Sequence, residues 1–152
     1  MKNFRWLGRV SYYILWPGIS VYLLGSQRSR VVVFSGDDIL VVKAWLSDGK
    51  WSLPGGGLHS GEKTVTGALR ELSEETGLKL KMSDLVELVS ENFRLRGIKV
   101  KLHFFSAAVS SRLPVKKQIG EITDIAWVNQ NKLNKKNTGK DALRGIAIWK
   151  ST

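Results

Sequence analysis

Between Arg30 and Trp45 the apolar residues come in two short runs rich in β-branched side chains, Val31 to Phe34 and Ile39 to Trp45, separated by Ser35-Gly36-Asp37-Asp38. Such runs, bounded by turn residues, predict a β-hairpin. A second turn at Ser47-Asp48-Gly49-Lys50 and a short strand over Trp51 to Leu53 follow, closed by Pro54-Gly55-Gly56-Gly57. The period then changes. Val65, Ala68, Leu69, Leu72 and Thr76 recur at helical spacing, which predicts a helix over 64–76, and Gly77 stands where a left-handed C-cap belongs. Further strands are predicted at Leu85 to Ser90, Asn92 to Arg96, Lys99 to Val109 and Glu121 to Val128, and a second helix over Asp141 to Trp149. There is no internal repeat and no linker that would divide the chain.

The most apolar stretch, Val10 to Gly25, is interrupted by Trp16-Pro17-Gly18. It falls short of the about 20 continuous apolar residues a membrane span needs, and it lacks the small-residue cleavage site of a signal peptide. The pattern predicts a helix over residues 3 to 15 and an extended segment after it. Residues 1–25 thus form an apolar extension and residues 26–152 the main domain. Two uses of the extension stay open: packing on the domain, or peripheral contact with an anionic membrane through Tyr12, Tyr13, Trp16, Tyr22 and the flanking arginines. The expected location is cytoplasmic, with membrane association as the alternative. A chain of 152 residues, 43% hydrophobic and 24% charged, is long enough to build one packed core and has the composition of a globular protein. It contains no cysteine, which excludes disulfides, thiolate zinc sites, iron–sulfur clusters and a cysteine nucleophile.

Charge adds a chemical direction. The chain has 24 Lys and Arg against 13 Asp and Glu, a net +11 that favours polyanionic partners such as nucleotides, nucleic acid or anionic membrane. No acidic residue precedes Asp37, and Lys132, Lys135, Lys136 and Lys140 form a second basic run. Within this basic chain Glu62, Glu71, Glu74 and Glu75 lie close together in sequence. On the predicted helix Glu71, Glu74 and Glu75 are i+3 and i+4 neighbours and share one patch, turned away from the apolar stripe. Three carboxylates on one patch repel, so the arrangement makes physical sense where a divalent cation neutralises it. Oxygen-only ligands favour Mg²⁺, Mn²⁺ or Ca²⁺ over zinc or copper.

The full spacing is more specific. Gly56, five residues, Glu62, seven residues, then Arg70-Glu71-Leu72-Ser73-Glu74-Glu75-Thr76-Gly77-Leu78 resembles the complete Nudix box. Trp51 to Gly57 before it, and Glu121 followed by Trp127-Val128, also look like the family. The resemblance implies an α/β/α sandwich around a mixed sheet and hydrolysis of the P–O–P linkage of a nucleoside diphosphate joined to another group. It implies Mg²⁺ or Mn²⁺ held by Glu71, Glu74 and Glu75, with Glu121 as a distal ligand or base. Arg70 and Glu62 would brace the helix, and Gly56 and Gly57 would let the backbone approach substrate. Trp45 is a candidate for stacking on substrate, as are Phe93, His103 and Phe105, and His59 is a candidate phosphate contact. The expected partner is an anionic, diphosphate-containing small molecule, with a homodimer and an RNA 5′ end as further candidates. Two other readings stay open: a membrane-recruited hydrolase of a lipid- or isoprenoid-linked diphosphate, and a non-catalytic nucleotide- or RNA-binding module. Two positions depart from the family pattern. Lys63 replaces the usual serine or threonine N-cap, and Gly67 stands in the helix where alanine is common, at a local cost of about 1 kcal/mol.

Overall fold

The computed structural model describes residues 26–45, 47–95 and 97–152. The helix expected over residues 3 to 15, and the extension as a whole, lie outside the described residues. Five strands form one mixed sheet: β1 (Gln27–Ser35), β2 (Asp38–Ala44), β3 (Val86–Leu95), β4 (Ile98–Ala108) and β5 (Ile122–Asn129). Their order is β3-β4-β1-β2-β5, and β1 runs parallel to β4 while the other pairs are antiparallel. Two helices, α1 (Thr64–Thr76) and α2 (Lys140–Lys150), complete the fold.

Central β1 explains the layering. Val31, Val32 and Val33 are all fully buried, as expected of a strand covered on both faces. Because successive side chains alternate faces, Val31 and Val33 pack with Ala68 and Leu72 of α1 and with Phe105 and Ala107. Val32 packs on the other side with Ala142 and Ile146 of α2 and with Leu53. The helices thus lie on opposite faces of the sheet, which makes the α/β/α sandwich. Among the described residues no helix is long and apolar enough to cross a membrane.

The elements differ from expectation where pairing overrides composition. β1 begins at polar Gln27, because Gln27, Arg28 and Ser29 pair with Lys101, Leu102 and His103 of β4. The two strands expected on either side of Glu91 are one: Glu91 pairs with Leu102, and its carboxylate accepts from Arg144 Nε and Nη2, both at 2.8 Å. A register shift between Glu87 and Val89 breaks the simple alternation along β3. Trp45 lies just beyond β2 and Glu121 just before β5.

Helix α1 ends as its sequence requires, with Gly77 at φ 73° and its N–H donating to the Ser73 carbonyl at 2.9 Å. Lys63 supplies no side-chain cap. Gly67 has a packing reason. A methyl group there would collide with Leu58 Cδ2 and stand 2.8 Å from Glu62 Oε2, so the glycine makes room for the Glu62 carboxylate.

Gly145 in α2 is closed off by more rigid neighbours. An added Cβ would meet Leu53 Cδ1 at 2.8 Å and the fully buried Phe104 ring at 2.8 and 2.9 Å. Alanine normally gains about 1 kcal/mol over glycine inside a helix, whereas overpacking costs about 1–3 kcal/mol. Gly145→Ala is therefore expected to lower stability by about 1 kcal/mol in urea unfolding, and a stabilised variant would contradict the packing described.

Candidate active site

Ser52 pairs with Val42 of β2, and the segment from Pro54 to Leu58 then lies along β1. Val31 N–H donates to the Pro54 carbonyl, Ser29 N–H to that of Gly56, and Leu58 N–H to that of Gln27, each at 2.9 Å. The approach is so close that only glycine fits at position 55: its φ is +137°, and a Cβ would press onto the Ser29 carbonyl oxygen and stand 3.1 Å from Arg30 Cα.

Beneath this loop sits Arg30, 7% exposed. Its Nη1 donates to the Gly55 carbonyl at 2.6 Å and to the Ser29 carbonyl at 3.1 Å, and its Nε donates to Asp141 Oδ2 at 2.8 Å. Asp141 opens α2, so one guanidinium joins β1, the glycine loop and the second helix. Burial alone would push the Asp141 carboxyl up, but the Arg30 charge and hydrogen bond hold it below its ordinary value.

On the other side of the loop, Gly55 N–H donates to Glu75 Oε2 at 2.8 Å. Burial pushes the Glu75 carboxyl up to about 7, against the opposing pull of that N–H and of the Arg30 charge, and the Glu71 charge adds to the rise. A second arginine organises the remaining carboxylates. Arg70 donates through Nε and Nη2 to the two oxygens of Glu62, both at 3.0 Å, and through Nη2 to the Gly57 carbonyl at 3.0 Å. Its Nη1 reaches Glu71 Oε1 at 2.8 Å and Glu74 Oε2 at 3.3 Å. The Arg70 hydrogen bonds and the His59 backbone N–H hold Glu62 down to about 2, and Glu62 in turn raises Arg70. Glu62 is thus a permanently ionised anchor. The Glu71 carboxylate lies against Gly56 so closely that any Cβ there would collide with it.

The structure therefore brings Glu71, Glu74, Glu75, Arg70, Gly56 and Gly57 into one region. Among the described residues no three acidic, histidine or cysteine side chains form a ready metal cage, because Glu71 and Glu74 are turned to Arg70 and Glu75 to Gly55. Glu121 belongs to the stretch before β5 that touches the end of α1, where Gln118 N–H donates to the Glu75 carbonyl at 3.3 Å. It lies exposed in the turn before β5 and contributes its backbone carbonyl, which accepts from the half-buried Trp45 N–H at 2.7 Å. Phe105 is core, Phe93 packs against the cluster around Phe104, and His103 is buried between Ser90 Oγ at 2.6 Å and Gln27 Oε1 at 2.9 Å. His59 is exposed. Sequence reasoning missed Arg30 and Asp141; the one available signal was an aspartate in the first turn of the last helix, and nothing local sets Arg30 apart from Arg28.

A family model described as the NUDIX domain matches residues 25–148. Nudix hydrolase 6 of Arabidopsis thaliana is 29% identical over 111 residues, covering 73% of this chain and 38% of that protein. An RNA pyrophosphohydrolase of Novosphingobium aromaticivorans is 38% identical over 77 residues, 50% of this chain and 41% of its own length. The match thus spans less than half the length of each of these two relatives. Among solved structures, the NUDIX domain of Shewanella oneidensis NrtR complexed with ADP ribose superposes with a TM-score of 0.72 at 21% identity, over 84% of this chain and 87% of that one. A Francisella tularensis bifunctional NMN adenylyltransferase/ADP ribose pyrophosphatase complexed with AMP and a Mn ion gives 0.71 at 22% identity, over 93% of this chain and 45% of that one. At these identities the structural likeness speaks for the fold.

Glu75 makes the stability of the metal-free protein depend on pH. In the fold its carboxyl titrates near 7, against 4.5 for an ordinary glutamate. Between those values the folded chain keeps a proton that the unfolded chain has lost, so stability falls as pH rises from 4.5 to 7, by about 3 kcal/mol, and levels off above. Glu62 acts in the opposite sense, but its contribution is complete above pH 4.5 and is lost only as pH falls through about 2. Urea unfolding in chelator at pH 5 and pH 7.5 should show the loss in the parent and not in Glu75→Gln. Equal slopes in the two proteins would place Glu75 in a solvated setting.

Proposed function

The chain belongs to the Nudix family, and we propose that it is a metal-dependent hydrolase cleaving the P–O–P linkage of a nucleoside diphosphate joined to another group. The observation that carries this reading is Glu75: a half-buried carboxylate, pinned to a glycine-loop N–H, with Glu71 close enough to push its pKa up further. The Arg30 and Arg28 charges oppose this rise without cancelling it, and a hard divalent cation would add the positive charge that keeps the carboxylate ionised. The donor set is carboxylate oxygen throughout, which suits Mg²⁺ or Mn²⁺. Glu71, Glu74 and Glu75 would hold the ion. When bound, it would place positive charge on the diphosphate oxygens and acidify a water molecule.

The chain's own residues do the rest. Arg70 is a positioning residue: anchored to Glu62 and to the Gly57 carbonyl, it holds Glu71 and Glu74 on the loop side of α1. Arg30 fixes the Gly55 carbonyl and so aims the opposite face of the same peptide region, the Gly55 N–H, at Glu75. Gly56 and Gly57 keep the loop free of side chains where a diphosphate must approach. Surplus basic charge draws the anion in, an effect that salt weakens. This reading does not need Glu121 or Trp45. The ADP ribose in the similar NrtR domain supports a nucleoside diphosphate derivative as substrate. The family match begins at residue 25 and supports treating residues 1–25 as an extension outside the chemical unit.

Release of phosphate and nucleotide from ADP-ribose, nucleoside triphosphates, dinucleoside polyphosphates and 5′-triphosphate RNA, with Mg²⁺ and with excess chelator, tests the reading. Turnover should require the metal. Glu74→Gln and Glu75→Gln preserve side-chain volume and should reduce turnover by at least about a hundredfold, while Glu87→Gln, outside the cluster, should leave it unchanged. Turnover undiminished in chelator, or box variants as active as Glu87→Gln, would overturn it.

A further inference from the structure

We propose that the loop Lys132–Lys140, together with Lys50, is a docking surface for a single strand of nucleic acid, separate from the carboxylate cluster. The loop is held rigidly by its asparagines. Asn137 Nδ2 and Asn134 Nδ2 donate to the Lys132 carbonyl at 2.8 and 3.2 Å, Lys136 N–H donates to Asn134 Oδ1 at 3.0 Å, and Asn134 N–H donates to Asn137 Oδ1 at 2.9 Å. It is tied to the body of the protein at Trp51, whose N–H donates to the Asn137 carbonyl at 2.8 Å and whose carbonyl accepts from Gly139 N–H at 2.9 Å. Lys50 joins from the neighbouring turn, its Nζ donating to the Lys135 carbonyl at 3.2 Å.

These bonds use backbone and amide groups and leave the ammonium groups of Lys132, Lys135, Lys136 and Lys140 on the surface, all four residues exposed. Between 132 and 140 there is no acidic residue. The nearest in sequence, Asp141, is buried and already paired with Arg30. At the edge of the surface the Asp48 carboxylate accepts from Lys50 N–H at 3.2 Å, while the loop itself presents four exposed lysines and no carboxylate, a charge pattern complementary to a row of phosphates. The partner's class follows from what the surface lacks. The large hydrophobic side chains exposed among the described residues are Met82, Val86 and Ile119, none of them in this loop, and Leu133 within it is buried. A membrane-binding surface combines basic charge with apolar side chains that enter the lipid, whereas a phosphate backbone asks only for charge.

The test is fluorescence anisotropy of a labelled 20-nucleotide oligouridylate against the full chain over a range of KCl concentrations. Each lysine that neutralises a phosphate contributes about 0.7 to the slope of log K against log salt for a single strand. Lys135→Gln/Lys136→Gln should therefore lower the slope by about 1.4 and weaken binding roughly tenfold near 0.1 M salt. Lys79→Gln/Lys99→Gln removes the same charge elsewhere and should change neither by a comparable amount. Glu75→Gln should bind the strand like the parent, so the result does not hinge on whether the carboxylate cluster is catalytic. Equal losses in the two double variants would reduce the surface to net charge. Absence of binding, or tighter binding to phosphatidylserine vesicles or polyglutamate than to the oligonucleotide, would overturn the proposal.

Discussion

Arg30 is buried between elements that are remote in sequence, and the candidate site depends on where it is held. Its ion pair with Asp141 joins two charges 111 positions apart, and its second bond fixes the carbonyl of Gly55. Removing one member of such a pair leaves the other charge buried and uncompensated, which costs about 3–5 kcal/mol, so the pair is most economically understood as a fastening point. What it fastens is the orientation of one glycine. The Gly55 carbonyl faces Arg30 and its N–H faces Glu75, so the second helix, through Asp141, influences where a carboxylate on the first helix stands.

The carboxylates then divide into two populations. Glu62 is fully satisfied by Arg70 and the His59 N–H and behaves as a structural anion. Glu71 and Glu74 share a single nitrogen of the same guanidinium, and Glu75 has one backbone donor and a raised pKa. A glutamate-rich helix face with no purpose beyond solubility would leave all of them in water. Here Glu62, Glu71 and Glu75 are half-buried and only Glu74 is exposed, and a perturbed carboxyl such as Glu75 is the kind of group found at functional sites.

Much of this was legible in the sequence because it is local. The helical stripe from Val65 to Thr76, the Gly77 cap and the spacing of Glu62 from Arg70 all lie within a few turns of chain, and the structure reproduces them. Hairpin and strand positions followed from β-branched runs. What was not legible depends on pairing across the fold. Glu91 reads as a break between two strands until Arg144, on the last helix, neutralises it. Gly67 reads as a defect until Leu58 and Glu62 are seen to occupy the space a methyl group would need. The role of Arg30 could not be read at all, since nothing local distinguishes it from the other basic residues near the start of β1. Resemblance nominated Glu121, and its aromatic ring nominated Trp45; the structure joins the two by a backbone hydrogen bond that neither signal could foretell.

The central claim is that Glu71, Glu74 and Glu75 are held against the glycine loop to receive a divalent cation, while Glu62 stays with Arg70. The most direct measurement is anomalous scattering from crystals grown with Mn²⁺. The account predicts a manganese peak coordinated by Glu75 and at least one of Glu71 and Glu74, with the Glu62–Arg70 pair unbroken. Manganese bound only at carboxylates elsewhere, or drawing Glu62 off Arg70, would contradict it.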